Sequence, residues 1–105
     1  MVVPQDTGEP NLFWLTARVL TLESQRYTPA GLAALNLTLG HESRIDEEGV
    51  MRSVRLEIRA LALGELALKL SRTPVGQEKR FCGFLQTARG AKNPVFHLQS
   101  MFDSK

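Results

Sequence analysis

Residues 53–72 have the sequence SVRLEIRALALGELALKLSR, in which the spacing of the hydrophobic residues changes part-way. The first apolar residues alternate with polar ones: Val54, Leu56 and Ile58. A period of two predicts a β-strand with one polar face. Further on, the apolar residues follow helical spacing, which predicts a helix from roughly Leu61 to Arg72. A strand that continues through Leu63 before a shorter helix fits the same pattern.

Two further strands are predicted before this stretch. Asn11 to Leu22 alternates apolar and polar residues, which predicts the first strand. A turn-forming segment, Ser24 to Gly31, separates it from a second alternating run, Leu35 to Gly40. The two strands are therefore expected to form a hairpin. The polar and acidic segment from Glu42 to Gly49 is expected to be a loop.

Two more strands are predicted after the helix, which Pro74 ends. The fourth strand covers residues 79–87, and Gly83 within it indicates a bulge or a close backbone approach. Residues 88–94 form a loop with two cations and no anion, and residues 95–102 form the fifth strand.

The predicted order is three strands, a short helix and two strands. This is the order of the all-β OB-fold, a five-stranded Greek-key barrel with a helix between strands three and four. In such barrels the ligand face is formed by strands two and three and the neighbouring loops. Other small β-barrels share parts of the pattern, so periodicity alone leaves them open.

The length of 105 residues is typical of one domain with a single core. Residues 1–10 contain Pro4, Gly8 and Pro10 without an apolar period, which predicts a disordered lead-in to a folded domain over residues 11–105. No apolar run is long enough to cross a membrane, and the N-terminus lacks a secretion signal. Cys82 is the single cysteine, so no internal disulfide forms. These features predict a cytoplasmic protein.

The charge is distributed unevenly along the chain. Residues 1–52 carry four Arg and seven Asp or Glu, a net charge of −3. Residues 53–105 carry nine Lys or Arg and four Asp or Glu, a net charge of +5. A basic C-terminal half is compatible with a polyanionic partner such as nucleic acid.

Six short segments carry a resemblance to a known family. In chain order they are Tyr27-Thr28-Pro29-Ala30-Gly31, Leu39-Gly40-His41-Glu42-Ser43, Glu47-Glu48-Gly49, Gly83-Phe84-Leu85, Lys92-Asn93 and Phe96-His97-Leu98. With their order and spacing, the chain from Asn11 to Phe102 resembles the primosomal replication protein N (PriB) family, OB-fold members of the single-stranded DNA-binding protein superfamily.

The resemblance implies a homodimer that binds single-stranded DNA without sequence preference, as a primosome accessory protein in replication restart. It implies contacts with the restart helicase (PriA) and, in some bacteria, with a helicase-loader protein. It implies no catalytic residues, metal or cofactor. An alternative from a different class is a protein-interaction adaptor that has kept the OB scaffold but has little DNA affinity.

Three arginines of the third predicted strand are candidate DNA contacts. Arg55 and Arg59 project from the face opposite the apolar residues, whereas Arg52 has the parity of the apolar residues near the start of the strand. A solvated strand face, with Glu57 as a neighbour, is an equally open interpretation of Arg55 and Arg59.

The loops supply the other candidate DNA contacts. Arg26 matches a basic position of the family, and the adjacent Tyr27 either packs on its turn or touches DNA. Arg89 and Lys92 lie in the last loop, where the family carries its main lysine cluster. Flexible cations beside a groove can follow phosphates. The alternative is that Arg89 and Lys92 only keep the loop tip soluble.

The sequence departs from the family pattern where base stacking is concentrated. The family has a tryptophan at the position of Arg55 and another aromatic residue at the position of Val50. The resemblance therefore implies weaker or more salt-dependent DNA binding here. Trp14 faces away from its apolar neighbours on the first strand, so it is expected at a dimer interface, with a DNA-stacking platform as the alternative.

Metal and enzymatic chemistry have no support in the sequence. His41, Cys82 and His97 include no short-range ligand pair of the kind that structural zinc sites use. The chain has no G-x-x-x-x-G-K-[ST] phosphate loop and no G-x-S-x-G nucleophile elbow. A metal site is not expected, and the protein is not expected to be an enzyme.

Overall fold

The structure, a computed structural model, describes residues 10–104. Its elements are, in chain order, β1 (Phe13–Leu22), β2 (Arg26–Tyr27), β3 (Ala33–Glu47), β4 (Val50–Leu63), α1 (Glu65–Ser71), β5 (Glu78–Gln86) and β6 (Val95–Asp103). The five predicted strands correspond to β1, β3, β4, β5 and β6. The lead-in expected over residues 1–10 lies, apart from Pro10, outside the described residues.

Five strands close into a barrel. β1 pairs antiparallel with both β3 and β5, β3 pairs with β4, and β5 pairs with β6. A short parallel contact between β4 and β6, with Ala60 beside Phe96, completes the ring. The two-residue β2 adds to the edge of β3. A closed five-stranded barrel with one short helix between β4 and β5 confirms the predicted OB-fold.

The core lies inside the barrel and under the helix. Alternate residues of β3 point inward and are fully buried: Leu35, Leu37 and Leu39. Phe81 of β5 and Phe96 of β6 fill the centre, and α1 contributes Ala67 and Leu70. Burying one such Leu or Phe side chain stabilises the fold by about 1.5–3 kcal/mol. The helix therefore acts as an apolar plug for one end of the barrel.

The prediction of an acidic loop from Glu42 to Gly49 is wrong. β3 continues to Glu47 and β4 begins at Val50, so that the connection is a two-residue turn at Glu48 and Gly49. Both turn residues have positive φ, 54° and 81°, as in the tight turns that match strand twist. The sequence lacks an apolar alternation here because both faces of this part of the hairpin are largely exposed.

The helix expected to start near Leu61 is shorter, and the alternative interpretation is correct. β4 runs through Leu63, and α1 begins only at Glu65. Gly64 adopts a φ of 67° between the two elements and donates its N–H to the carbonyl of Ala33 at 2.8 Å. This positive φ ends the strand, because extended residues have a negative φ. Glycine occupies the position because residues with a Cβ rarely adopt a positive φ.

Gly83 is a point of close backbone approach beside a bulge, as the sequence predicts. The β5–β6 register shifts between Cys82 and Gly83, leaving Gln99 as the extra residue of β6. A Cβ on Gly83 would lie 1.9 Å from the carbonyl oxygen of His97. Only a glycine therefore fits here without moving a backbone segment.

Replacing Gly83 by alanine is expected to lower the free energy of unfolding by about 3 kcal/mol, because the new methyl group meets backbone that cannot yield. Gly40→Ala is the matched control: its Cβ would lie 2.8 Å from Leu20 Cδ1, the end of a flexible side chain. Its cost should be about 1 kcal/mol or less. Urea unfolding measures both. Equal losses for the two variants would contradict the role assigned to Gly83.

Candidate nucleic-acid interface

The β3–β4 hairpin extends beyond the barrel as a two-stranded ribbon. β1 pairs with β3 only between Leu22–Leu37 and Arg18–Gly40, whereas the β3–β4 pairing continues to Glu47–Val50. We call residues 41–56 the hairpin arm. Each of its strands is about 23 Å long, at about 3.3 Å per residue. The arm therefore presents two faces and two free edges to solvent.

Strand alternation distributes the three β4 arginines over both faces. Arg55 lies opposite Glu42 and Arg59 lies opposite Thr38, on the outer face of the sheet. Arg52 lies opposite Ile45, on the face that continues the barrel interior. This agrees with the parity expected from the sequence. The three arginines do not form a single-faced row.

Each β4 arginine is paired with a glutamate. Nη2 and Nε of Arg55 donate to the same oxygen of Glu42, at 2.9 and 3.2 Å. Nη2 of Arg59 donates to a Glu23 oxygen at 3.0 Å. Arg52 forms the third ion pair, between its Nε and Glu47. Glu57, the neighbour expected from the sequence, has no ion pair within residues 10–104.

These pairs are exposed, which limits their strength. The side chains of Arg55 and Glu42 are 81% and 71% exposed. Ion pairs of this kind stabilise a protein by about 0–1 kcal/mol and weaken in salt. A phosphate can therefore replace the carboxylate at little cost. The arginines are accessible to a nucleic acid, although they are not free.

The loop between β5 and β6, residues 87–94, supplies two cations without ion pairs in the described part of the chain. Arg89 and Lys92 are both exposed. β6 runs parallel to β4 with Phe96 beside Ala60, so the loop enters β6 at the level of Arg59. The loop and Arg59 are therefore neighbours across the β4–β6 contact.

Arg26 and Tyr27 lie in β2, beside the start of β3. Arg26 is opposite Ala34, and Arg52 is opposite Ile45, so about 36 Å of β3 separates these two levels at about 3.3 Å per residue. Tyr27 is 65% exposed and its hydroxyl accepts a hydrogen bond from Gln25 Nε2 at 3.3 Å. Along β3, Arg26 and Arg52 thus mark the two ends of the candidate set and Arg59 lies near its middle, but Arg52 lies on the other face of the sheet from Arg55 and Arg59.

Sequence reasoning missed several residues of this surface. Arg44 is exposed on the outer face of the arm, opposite Ser53, without an ion pair in residues 10–104. It was missed because its segment was expected to be an acidic loop. The pairing of Glu23 and Glu42 with arginines depends on a register that the sequence alone does not reveal.

His41 connects the base of the arm to β1 through a side-chain hydrogen bond. Its Nδ1–H donates to the carbonyl oxygen of Thr16 at 2.7 Å, and its Nε2 lies 2.9 Å from the hydroxyl of Ser43. A groove of about 770 Å³ opens beside it. Its charged lining residues are Arg18, Glu42, Arg55, Glu57 and Glu78. With three acids and two bases, this groove is not a simple phosphate channel.

A second surface is formed by aromatic side chains outside the barrel. Trp14 and Phe102 stack at a centroid distance of 5.9 Å and are 49% and 48% exposed. Phe84 of β5 and His97 of β6 form a second stacked pair, at a centroid distance of 4.8 Å. Burial lowers the pKa of His97. We call these four residues the aromatic face; it places Trp14 outside the core, as its parity predicts.

Among residues 10–104 no three His, Cys, Asp or Glu side chains come together as a metal site would require. Burial raises the pKa of the Cys82 thiol. No helix within residues 10–104 is long and apolar enough to cross a bilayer.

Comparison with known proteins assigns the chain to a family. A family profile described as "Another single-strand binding protein family" matches residues 11–100. Replication restart protein PriB of Bordetella pertussis is 51% identical over 90 residues, which cover 85% of this chain and 84% of that protein. The chain belongs to the PriB family of single-strand binding proteins. This confirms the resemblance seen in the sequence.

Other PriB proteins support the same assignment. PriB of Nitrosomonas europaea is 31% identical over 97 residues, which cover 91% of this chain and 90% of that protein. The solved structure of PriB from Ralstonia solanacearum superimposes with a TM-score of 0.84 at 31% identity, covering 92% of this chain and all of that one. PriB and its relatives are DNA-binding proteins without enzymatic activity, in agreement with the sequence-based expectation.

Proposed function

We propose that this chain binds single-stranded DNA without sequence preference, as an accessory protein of replication restart in the bacterial cytoplasm. The observation that carries the proposal is the pair of exposed arginines, Arg55 and Arg59, on the outer face of β4 in an OB barrel of the PriB family. The names of the relatives, replication restart protein PriB, support the cellular role. Partnership with the restart helicase (PriA) and a helicase-loader protein is proposed on the same family basis.

In this proposal, DNA phosphates exchange with the glutamates that hold the β4 arginines. Arg55 and Arg59 release Glu42 and Glu23 and bind phosphates instead, while Arg89 and Lys92 approach the strand from the neighbouring loop. Because the exposed ion pairs are weak, the exchange costs about 1 kcal/mol or less per arginine. The released counterions supply the driving force.

Base stacking contributes less than in a typical single-strand binder. Aromatic stacking is worth about 1–3 kcal/mol per base, but β4 carries no aromatic residue. Tyr27 offers an exposed ring beside the start of β3. Binding is therefore dominated by electrostatics, which makes it strongly dependent on salt.

A second candidate function is a primosome adaptor with little DNA affinity. The ion pairing of Arg52, Arg55 and Arg59 favours it, because these cations already have partners in the protein. In that case the OB barrel presents loops and faces to protein partners instead of DNA.

We also propose that the protein is a homodimer that buries the aromatic face. The stacked pair of Trp14 and Phe102 is half exposed in the single chain. Exposed aromatic clusters are enriched at protein interfaces. The alternative role of Trp14 as a DNA-stacking platform predicts a different outcome when the residue is changed.

Neutralising the loop cations in the variant Arg89→Ala/Lys92→Ala is expected to weaken binding to an oligo-dT strand. The slope of log K against log salt should fall by about 1.4, since each phosphate contact on a single strand contributes about 0.7. Fluorescence anisotropy at several salt concentrations measures both effects. Lys69→Ala/Arg72→Ala, which removes two exposed cations from the region of α1, is the matched control.

An unchanged slope in the loop variant, or an equal change in the control, would count against the loop as a DNA contact. Wild-type protein that binds no oligo-dT at low salt would overturn single-strand binding itself. Stimulation of the helicase that persists in the loop variant would then favour the adaptor function.

Replacing Trp14 by glutamate is expected to convert the dimer into a monomer, because it places a charge in the centre of an apolar contact. Sedimentation velocity at micromolar concentration measures the change, and Val75→Glu, at another exposed apolar residue, is the control. A wild-type monomer, or a Trp14→Glu dimer with reduced DNA affinity, would contradict the interface and favour a stacking role.

A further inference from the structure

The outer face of the β3–β4 hairpin carries as many acids as bases. Its cations are Arg44, Arg55 and Arg59, and its anions are Glu42, Asp46 and Glu57. Glu23, which pairs with Arg59, adds a fourth anion at its edge. A surface built only for affinity to a polyanion would not need acids among its arginines.

These acids do little for the fold. The pairs of Arg55 with Glu42 and of Arg59 with Glu23 are solvent-exposed, and such pairs contribute little to stability. Glu57 is exposed and has no ion pair in residues 10–104. Stability therefore does not account for the presence of Glu57 between two arginines.

The spacing along β4 brings Glu57 close to any phosphate held by its neighbours. Arg55, Glu57 and Arg59 lie on one face at steps of about 6.6 Å, since a strand rises about 3.3 Å per residue. This step is shorter than the Debye length of about 8 Å at physiological ionic strength. A phosphate that contacts either arginine is thus repelled by Glu57.

A duplex and a single strand respond differently to this pattern. Duplex DNA carries one negative charge per about 1.7 Å of its axis, twice the density of one strand. Over the distance of about 13 Å from Arg55 to Arg59 a duplex carries about eight charges, counted over both strands, on a stiff frame. It cannot keep its phosphates away from Glu57. A flexible single strand can direct phosphates to the arginines and turn its bases over the carboxylates.

We propose that Glu57 and Glu42, interleaved with the arginines of β4, are specificity-determining residues that make this surface selective for single-stranded over duplex DNA. The inference rests on the proposed single-strand binding and adds the reason for its selectivity. Specificity of this kind arises from repulsion of the wrong partner as well as from attraction of the right one. The glutamates lower the affinity for both forms of DNA, but they lower the affinity for duplex more.

The test compares Glu57→Gln with Glu65→Gln. Both variants neutralise one exposed glutamate without an ion pair in residues 10–104, the first on β4 and the second on α1. Fluorescence anisotropy is measured with one labelled oligonucleotide and with its duplex, at the same salt concentration. Glu57→Gln should raise duplex affinity about fivefold and single-strand affinity less than about twofold, because the duplex charge density is higher. Glu65→Gln should leave the ratio unchanged.

Adding Glu42→Gln to Glu57→Gln should lower the ratio of single-strand to duplex affinity further. An unchanged ratio in both the single variant Glu57→Gln and the double variant, with single-strand binding intact, would overturn the inference and leave the proposed function standing. Equal shifts in Glu57→Gln and Glu65→Gln would overturn it too, because net charge alone would then be responsible. Wild-type protein that binds neither form of DNA would remove both the inference and the function.

Discussion

The unbroken antiparallel pairing of β3 with β4 is the constraint on which the rest of the structure depends. It runs from Ala34–Leu63 at the helix to Glu47–Val50 at the turn. Its first half supplies two walls of the barrel, with leucines of β3 in the core. Its second half leaves the barrel as the hairpin arm. One register therefore sets the core, the length of the arm and the face on which each arginine lies.

The same register explains why the candidate interface is electrically balanced. It places Glu42 directly opposite Arg55, at a distance where the guanidinium makes two hydrogen bonds to one carboxylate oxygen. The arginines are thereby positioned but are not strongly held, since exposed pairs are worth about 0–1 kcal/mol. A surface of this kind can exchange an internal carboxylate for an external phosphate. Weak, salt-dependent DNA binding is the expected consequence of this exchange together with the lack of an aromatic residue on β4.

Much of the fold could be predicted from the sequence because barrel strands alternate between core and solvent. This holds for the five barrel strands and for Gly83, whose lack of a side chain marks a close contact. The continuation of β3 from Glu42 to Glu47 could not be predicted, because most of its residues are exposed on both faces and residues such as Asp46 and Glu47 are typical of loops. The start of α1 could not be fixed either, since Leu61 and Leu63 fit a strand and a helix equally well until the φ of Gly64 is known.

The site was only partly predictable for a related reason. The sequence identifies Arg55 and Arg59 as exposed cations of one face, because parity alone is sufficient for that. Their pairing with glutamates depends on the cross-strand register and on the path of the loop that contains Glu23. A local sequence pattern predicts neither of these. Arg44 was missed because residues 42–49 were predicted to be a loop.

The central claim, that DNA phosphates take the place of glutamates at the β4 arginines, is tested most directly by NMR of the arginine Nε–Hε groups during titration with oligo-dT. The signals of Arg55 and Arg59 are expected to shift together with the backbone amides of Arg89 and Lys92, while the indole signal of Trp14 stays in place. A titration in which the Trp14 indole shifts and the arginine signals do not move would contradict the claim.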